Sequence, residues 1–197
     1  MPKHTIVTDT MPILASIKSQ QKAPVTLIAI DGHSAAGKST LARSIANTLP
    51  TVSIVHTDDF YRVMDESERA QLDAPGGYEH YYDWQRLEAQ VLAPLTARQV
   101  ARYQKYDWAT NQLGAWVAVE PHGVVLVEGC YSARPLFRSY YNLIILVDAD
   151  AALRDQRQRQ RADAPEWWPR WDAAERYYMQ TARPHAYADF VLRKNFK

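Results

Sequence analysis

The stretch VTLIAIDGHSAAGKSTLARSIANT, residues 25–48, constrains the fold of this chain more than any other. Val25 to Ile30 is an apolar run rich in β-branched residues, which predicts a strand buried on both faces. Leu41, Ile45 and Leu49 then recur every fourth residue, predicting a helix face that stops at Pro50. Between strand and helix, Gly32-His33-Ser34-Ala35-Ala36-Gly37-Lys38-Ser39 fits the pattern G-x-x-x-x-G-K-[ST], with Thr40 following. Glycines at these positions let the backbone wrap a phosphate closely, with its N–H groups turned inward. The helix that starts there adds its positive end. Lys38 is placed to reach β- and γ-phosphates, and the Ser39 hydroxyl to ligate Mg²⁺. The spacing predicts a nucleoside-triphosphate site over residues 32–40.

The rest of the chain alternates in the same way. Val52–Val55, Val124–Val127, Leu143–Val147 and Phe190–Leu192 read as further strands, with helical patterns between them. This predicts an α/β fold with a parallel sheet covered on both faces. Residues 1–24 form a lead-in whose Ile13, Leu14 and Ile17 have helical spacing. Asp83 is a candidate cap for a helix with Trp84, Leu87, Val91 and Leu95 on its apolar face. Residues 98–120 read as a hairpin insert that turns at Asn111-Gln112-Leu113-Gly114. Residues 151–171 carry Arg154, Arg157, Arg159 and Arg161 before two prolines break the pattern.

At 197 residues the chain suits one domain with a small insert. Its net charge of +1, from 23 basic and 22 acidic residues, supplies no global field for nucleic acid or an anionic membrane. Phosphate recognition must therefore be local. The single cysteine, Cys130, cannot form an internal disulfide and suits a reducing compartment. MPKHTIVTDT has no apolar core of a secretory signal, and Leu143–Val147 is far too short to span a bilayer. The expectation is a cytoplasmic protein acting on a small molecule, with homo-oligomerisation left open.

Ligands of such sheets bind beyond the carboxyl ends of the strands. Three of those ends carry acids: Asp58 and Asp59 after the second strand, Glu128 after Val127, and Asp148 after Val147. Phosphoryl transfer needs a metal near the γ-phosphate and a group to receive the nucleophile's proton, and Asp58 and Glu128 are the natural candidates. Asp73-Ala74-Pro75-Gly76 fits a GTPase-like D-x-x-G, but no buried strand leads into it and no N-K-x-D occurs, so it reads as a polar turn.

The phosphate loop, Asp58-Asp59-Phe60-Tyr61, Val124-Val125-Leu126-Val127-Glu128-Gly129 and Tyr187-Ala188-Asp189 together resemble the uridine kinase/phosphoribulokinase family of P-loop kinases. The resemblance spans roughly residues 25 to 192 in the family's order. It implies a five-stranded parallel sheet with a nucleoside-holding hairpin and an arginine-bearing lid, with ATP as donor and Mg²⁺ as metal. By position it implies that Asp58 takes the proton of a ribose 5′-hydroxyl and that Ser39 and Glu128 lie around Mg²⁺. It places Tyr61 as an aromatic of the nucleoside site and Tyr106-Asp107-Trp108 in the base-binding hairpin. Tyr78-Glu79-His80 resembles an element whose acid holds the ribose hydroxyls. Arg154, Arg157 and Arg161 fall at lid spacings. Asn111 stands where uridine kinases carry a base-contacting histidine, and its amide can also read a base edge.

Plainer readings stand beside these. The arginine run is also what the wet face of a helix looks like, and most of the 12 tyrosines and 6 tryptophans are expected to pack core or lid. Trp167, Trp168 and Trp171 read as lid anchors, and Cys130 as a small buried residue. A kinase for another acceptor (a phosphosugar, pantothenate or nicotinamide riboside), a nucleotide-binding regulator and a GTPase are the rivals.

Overall fold

A computed structural model of the chain describes residues 4–21, 23–160 and 166–194. The elements run β1 (Thr5–Val7), α1 (Met11–Gln20), β2 (Val25–Asp31), α2 (Lys38–Thr48), β3 (Val52–His56), α3 (Glu66–Ala70), α4 (Ala74–His80) and α5 (Trp84–Leu87). A π-helical turn, Glu88–Leu92, joins α5 to α6 (Ala93–Thr96). The chain continues through β4 (Ala101–Asp107), β5 (Gln112–Val119), β6 (Gly123–Glu128), β7 (Leu143–Ala149), α7 (Ala151–Arg159), α8 (Trp168–Thr181) and β8 (Phe190–Lys194).

The main sheet has six strands in the order β1-β8-β7-β2-β6-β3, all parallel. The expected five strands are thus one short. The sixth is β1, which comes from the lead-in and pairs Thr5–Val7 with Phe190–Leu192. Three residues at a sheet edge, with Ile6 half exposed, carry too little periodicity to be read as a strand. The central strand β2 is buried along its whole length. Its alternate residues feed two cores. Ile28 and Ile30 pack with Ile13, Ile17, Leu41 and Ile45 on one face. On the other, Leu27 packs with Val125, Val127, Trp84, Leu87, Val91 and Tyr178. The chain leaves β2 for β3 on one side and returns to β7 on the other, so a crevice opens beyond its carboxyl end.

Local chemistry explains the smaller elements. Asp73 caps α4 by accepting the Gly76 N–H at 2.8 Å, and Pro75 sits in the first turn, so the expected polar turn is the start of a helix. Asp83 caps α5 through the Arg86 N–H at 3.0 Å, and Trp84, Leu87, Val91 and Leu95 are all buried. The separate sheet β4–β5 is the hairpin. Its turn lies three residues earlier than the sequence suggests. Asp107 pairs with Gln112, so Gln112–Gly114 already belong to β5. The bend is at Trp108–Asn111, where Asn111 adopts a left-handed backbone with φ 52°. Asparagine tolerates that conformation better than most residues.

Candidate active site

The loop between β2 and α2 brings residues 32–40 to the head of the sheet. Gly32 has φ 143°, and a side chain there would collide with the Val147 carbonyl of the neighbouring strand β7. Gly37, at φ 104°, turns the chain into α2. Lys38 is buried and folds over its own loop. Its Nζ donates to the carbonyls of Gly32 and His33, each at 2.9 Å, and lies 3.3 Å from Cys130 Sγ. Burial alone would pull the ammonium down, but Cys130, Glu175 and Glu128 around it push it up. It is a cation at every working pH. From α7, Arg157 donates to the Ala35 carbonyl at 3.0 Å, against the loop. Arg154 approaches Asp172 at 3.9 Å, and its Nε and Nη1 have no hydrogen-bond partner among the described residues. Arg161 lies outside the described residues.

Across the crevice stand the carboxylates. Ser39 Oγ is 3.3 Å from Glu128 Oε2 at the end of β6. Burial would raise the Glu128 carboxyl, but the His56 hydrogen bond at 2.5 Å and the Lys38 charge hold it below its ordinary value. Asp58 lies in the 3₁₀ turn Thr57–Phe60 just past β3, open to the cleft, and accepts the Tyr82 hydroxyl at 3.1 Å. Crowding by the cleft walls and the Glu128 charge push its carboxyl up. Asp59 points away, toward the hairpin, where it accepts the Tyr103 hydroxyl at 3.0 Å. Among the described residues no three acidic, histidine or cysteine side chains converge as a standing metal centre. Ser39, Glu128 and Asp58 offer only oxygens. That set suits Mg²⁺, which takes one or two carboxylates and completes its shell with water and substrate phosphates.

The residues expected at a nucleoside pack mostly against one another. The Tyr61 ring stacks with Trp108 at 4.6 Å and with Trp171 of α8 at 5.4 Å, and the Arg69 guanidinium lies 4.0 Å from its centre. Tyr106 donates its hydroxyl to Asn111 Oδ1 at 2.7 Å, and Asn111 Nδ2 donates to the Met64 carbonyl at 2.9 Å. The Asn111 amide is therefore oriented by the protein, and it ties the hairpin to the segment that follows Tyr61. Tyr78 is buried beside Tyr131 and Tyr178. Glu79 is exposed and pairs with Arg134 at 2.8 Å.

A model of the Phosphoribulokinase / Uridine kinase family matches residues 27–193. The chain belongs to that family. It is 30% identical over 167 residues to a uridine kinase of Chloroflexus aggregans, covering 80% of this chain and 77% of that one. It is 28% identical over 189 residues to a uridine kinase of Clostridium botulinum, covering 87% and 88%. Among solved structures, a possible uridine kinase from Bacillus stearothermophilus superposes with a TM-score of 0.73 at 23% identity, over 91% of this chain and 95% of that one. The D-glycerate 3-kinase of Cryptococcus neoformans superposes at 0.57 with 15% identity, over 94% and 92%. Membership of the uridine kinase/phosphoribulokinase family makes the chain a nucleotide-binding phosphotransferase. Two structural relatives named for different acceptors show that the fold does not select one.

Several site residues of this family member carry no motif. Glu175 of α8 is buried against the P-loop, where it accepts the Ser34 N–H at 2.9 Å and meets His33 Nδ1 at 3.2 Å. Asp31, at the end of β2, accepts N–H groups from Gly32, Tyr131 and Ala133 and the hydroxyl of Tyr178. His56 and Tyr82 become neighbours of Glu128 and Asp58 only on folding. His56 and Asp31 flank recognised motifs, so position alone was a signal for them. Glu175 and Tyr82 had none.

Proposed function

We propose that this protein transfers the γ-phosphoryl group of ATP, with Mg²⁺, to a hydroxyl of a small molecule, and that the acceptor is a pyrimidine nucleoside phosphorylated at its 5′-hydroxyl. The observation that carries the reading is Asp58, a carboxylate open to the crevice opposite the P-loop and oriented by Tyr82. The acceptor oxygen attacks the γ-phosphorus, the bond to the β–γ bridging oxygen breaks, and ADP leaves. The hydroxyl proton passes to Asp58. Lys38 and the lid residues Arg154 and Arg157 offset negative charge on the transferring group and the leaving oxygen. Ser39, Glu128 and Asp58 would hold Mg²⁺, which would supply charge neutralisation at the transferring phosphate. The hairpin aromatics Tyr106 and Trp108, with Tyr61, supply flat apolar surface suited to a base. The family resemblance gives Tyr78 and Glu79 to the ribose, and Asn111 links the hairpin tip to the Met64 carbonyl.

Two relatives are named uridine kinases, and this supports the nucleoside as acceptor. The test is ADP release with ATP and GTP as donors across a panel of nucleosides. Uridine and cytidine are expected to turn over within about tenfold of each other. Turnover with another hydroxyl acceptor and with no pyrimidine nucleoside would remove the nucleoside and leave the kinase. ATP binding with no acceptor-dependent ADP release would mark a regulator.

A further inference from the structure

Three residues on one face of α8 reach three parts of the site. Trp171, Glu175 and Tyr178 follow i, i+4 and i+7 spacing. Trp171 stacks on Tyr61, Glu175 meets the P-loop, and Tyr178 bonds Asp31 at the end of β2. Glu175 is a fully buried carboxylate, and all its donors lie at the phosphate end of the crevice. They are the Ser34 N–H and hydroxyl, His33 Nδ1, and the Cys130 thiol at 3.3 Å. That same sulfur is 3.3 Å from Lys38 Nζ, the ammonium that serves the β- and γ-phosphates. Burial would raise the Glu175 carboxyl, but His33, Lys38 and Ser34 hold it below its ordinary value, so it is an anion.

We infer that Glu175 is a specificity-determining residue of the phosphate site, an internal anion that holds the γ-phosphate end of the P-loop and must yield it to a triphosphate but not to a diphosphate. The inference rests on the P-loop reading above. A terminal phosphate reaching the Ser34 N–H would place negative charge against a buried carboxylate, and like charges in a shielded site repel strongly. A nucleoside diphosphate ends at the β-phosphate and leaves that amide to Glu175.

The test is calorimetric binding of Mg-ADP and of the Mg complex of β,γ-imido-ATP to the wild-type protein and to Glu175→Gln. The amide keeps the shape and an acceptor for Ser34 while losing the charge. Glu175→Gln is expected to bind the triphosphate about tenfold tighter, or about 1.4 kcal/mol, and the diphosphate within about twofold of wild type. Unchanged or weaker triphosphate binding, or an equal gain for both nucleotides, overturns the inference. The wild-type protein supplies a second reading that does not depend on the variant's folding. It should bind the diphosphate at least as tightly as the triphosphate analogue, and a preference of about tenfold for the triphosphate overturns the inference. Nucleotide binding without any effect of Glu175 defeats this inference alone. Failure of the wild type to bind either nucleotide defeats the P-loop reading with it.

Discussion

Lys38 is a buried ammonium whose partners are two loop carbonyls and a thiol, so it braces no element of the core. Lys38→Ala should abolish phosphoryl transfer and leave the thermal melt close to that of wild type. Near-normal turnover would refute the P-loop assignment. The two adjacent aspartates offer an internal control. Asp58 faces the crevice, while Asp59 is bound to Tyr103 and lies 3.7 Å from Lys105. Asp58→Asn should lower turnover at least about 10²-fold with ATP affinity nearly unchanged, the low end for a lost general base. Asp59→Asn should act mainly on the hairpin. If Asp59→Asn is the crippled variant, the proton acceptor has been misassigned. Only Asp58's place after a strand was visible in sequence. Its orientation by Tyr82, 24 positions along the chain, was not.

At the scale of elements, strand ends and loops are held by polar groups that no local pattern announces. Asp31 accepts three backbone N–H groups and joins the P-loop, the segment after β6 and α8. Tyr131 in that segment holds a left-handed backbone at φ 67°, a strained conformation for a large side chain. Asp31→Ala would leave several buried donors unpaired, and a loss of about 3 kcal/mol in urea unfolding is expected. A loss below about 1 kcal/mol would mean that water replaces the carboxylate. The hairpin gives a second case. Asn111 links Tyr106 to the Met64 carbonyl, so Asn111→Ala should loosen the hairpin tip. Steady-state kinetics should show the acceptor KM rising about fivefold, the worth of one hydrogen bond, with the KM for ATP unchanged. Equal rises in both constants would point to general loosening instead.

For the whole molecule, the packing of α8 on the P-loop couples the fold to pH. The Glu175 carboxyl lies below its ordinary value of 4.5 when folded, so the unfolded chain binds its proton more readily. Its stabilisation is complete above about pH 4.5 and is lost as pH falls through the lower folded value. Melting curves from pH 7 down to pH 3.5 should show the wild type losing stability in acid more steeply than Glu175→Gln. Parallel curves would show that Glu175 titrates alike in the folded and unfolded chain. Among the described residues no helix is long and apolar enough to cross a membrane, in line with the short apolar runs of the sequence.

Local covalent pattern determined the strand, loop and helix of residues 25–48, because an apolar run, glycines at fixed offsets and a four-residue repeat each act within a few positions. The same is true of the β2, β3, β6 and β7 cores and of the helix cap at Asp83. It also covers the acids at the strand ends, since a carboxylate just past a buried strand lies in the crevice of any parallel sheet. Tertiary structure alone decided that Thr5–Val7 would be a sixth strand, because three residues gain strand character only from the edge of β8. It alone decided that Tyr61 would be flanked by Trp108 and Trp171, and that Asn111 would be spent on Tyr106 and Met64. The contact of Glu175 with Ser34 joins residues 141 positions apart. A buried carboxylate and the amide that satisfies it are paired by the packing of α8 across the sheet, and no periodicity along the chain encodes that meeting.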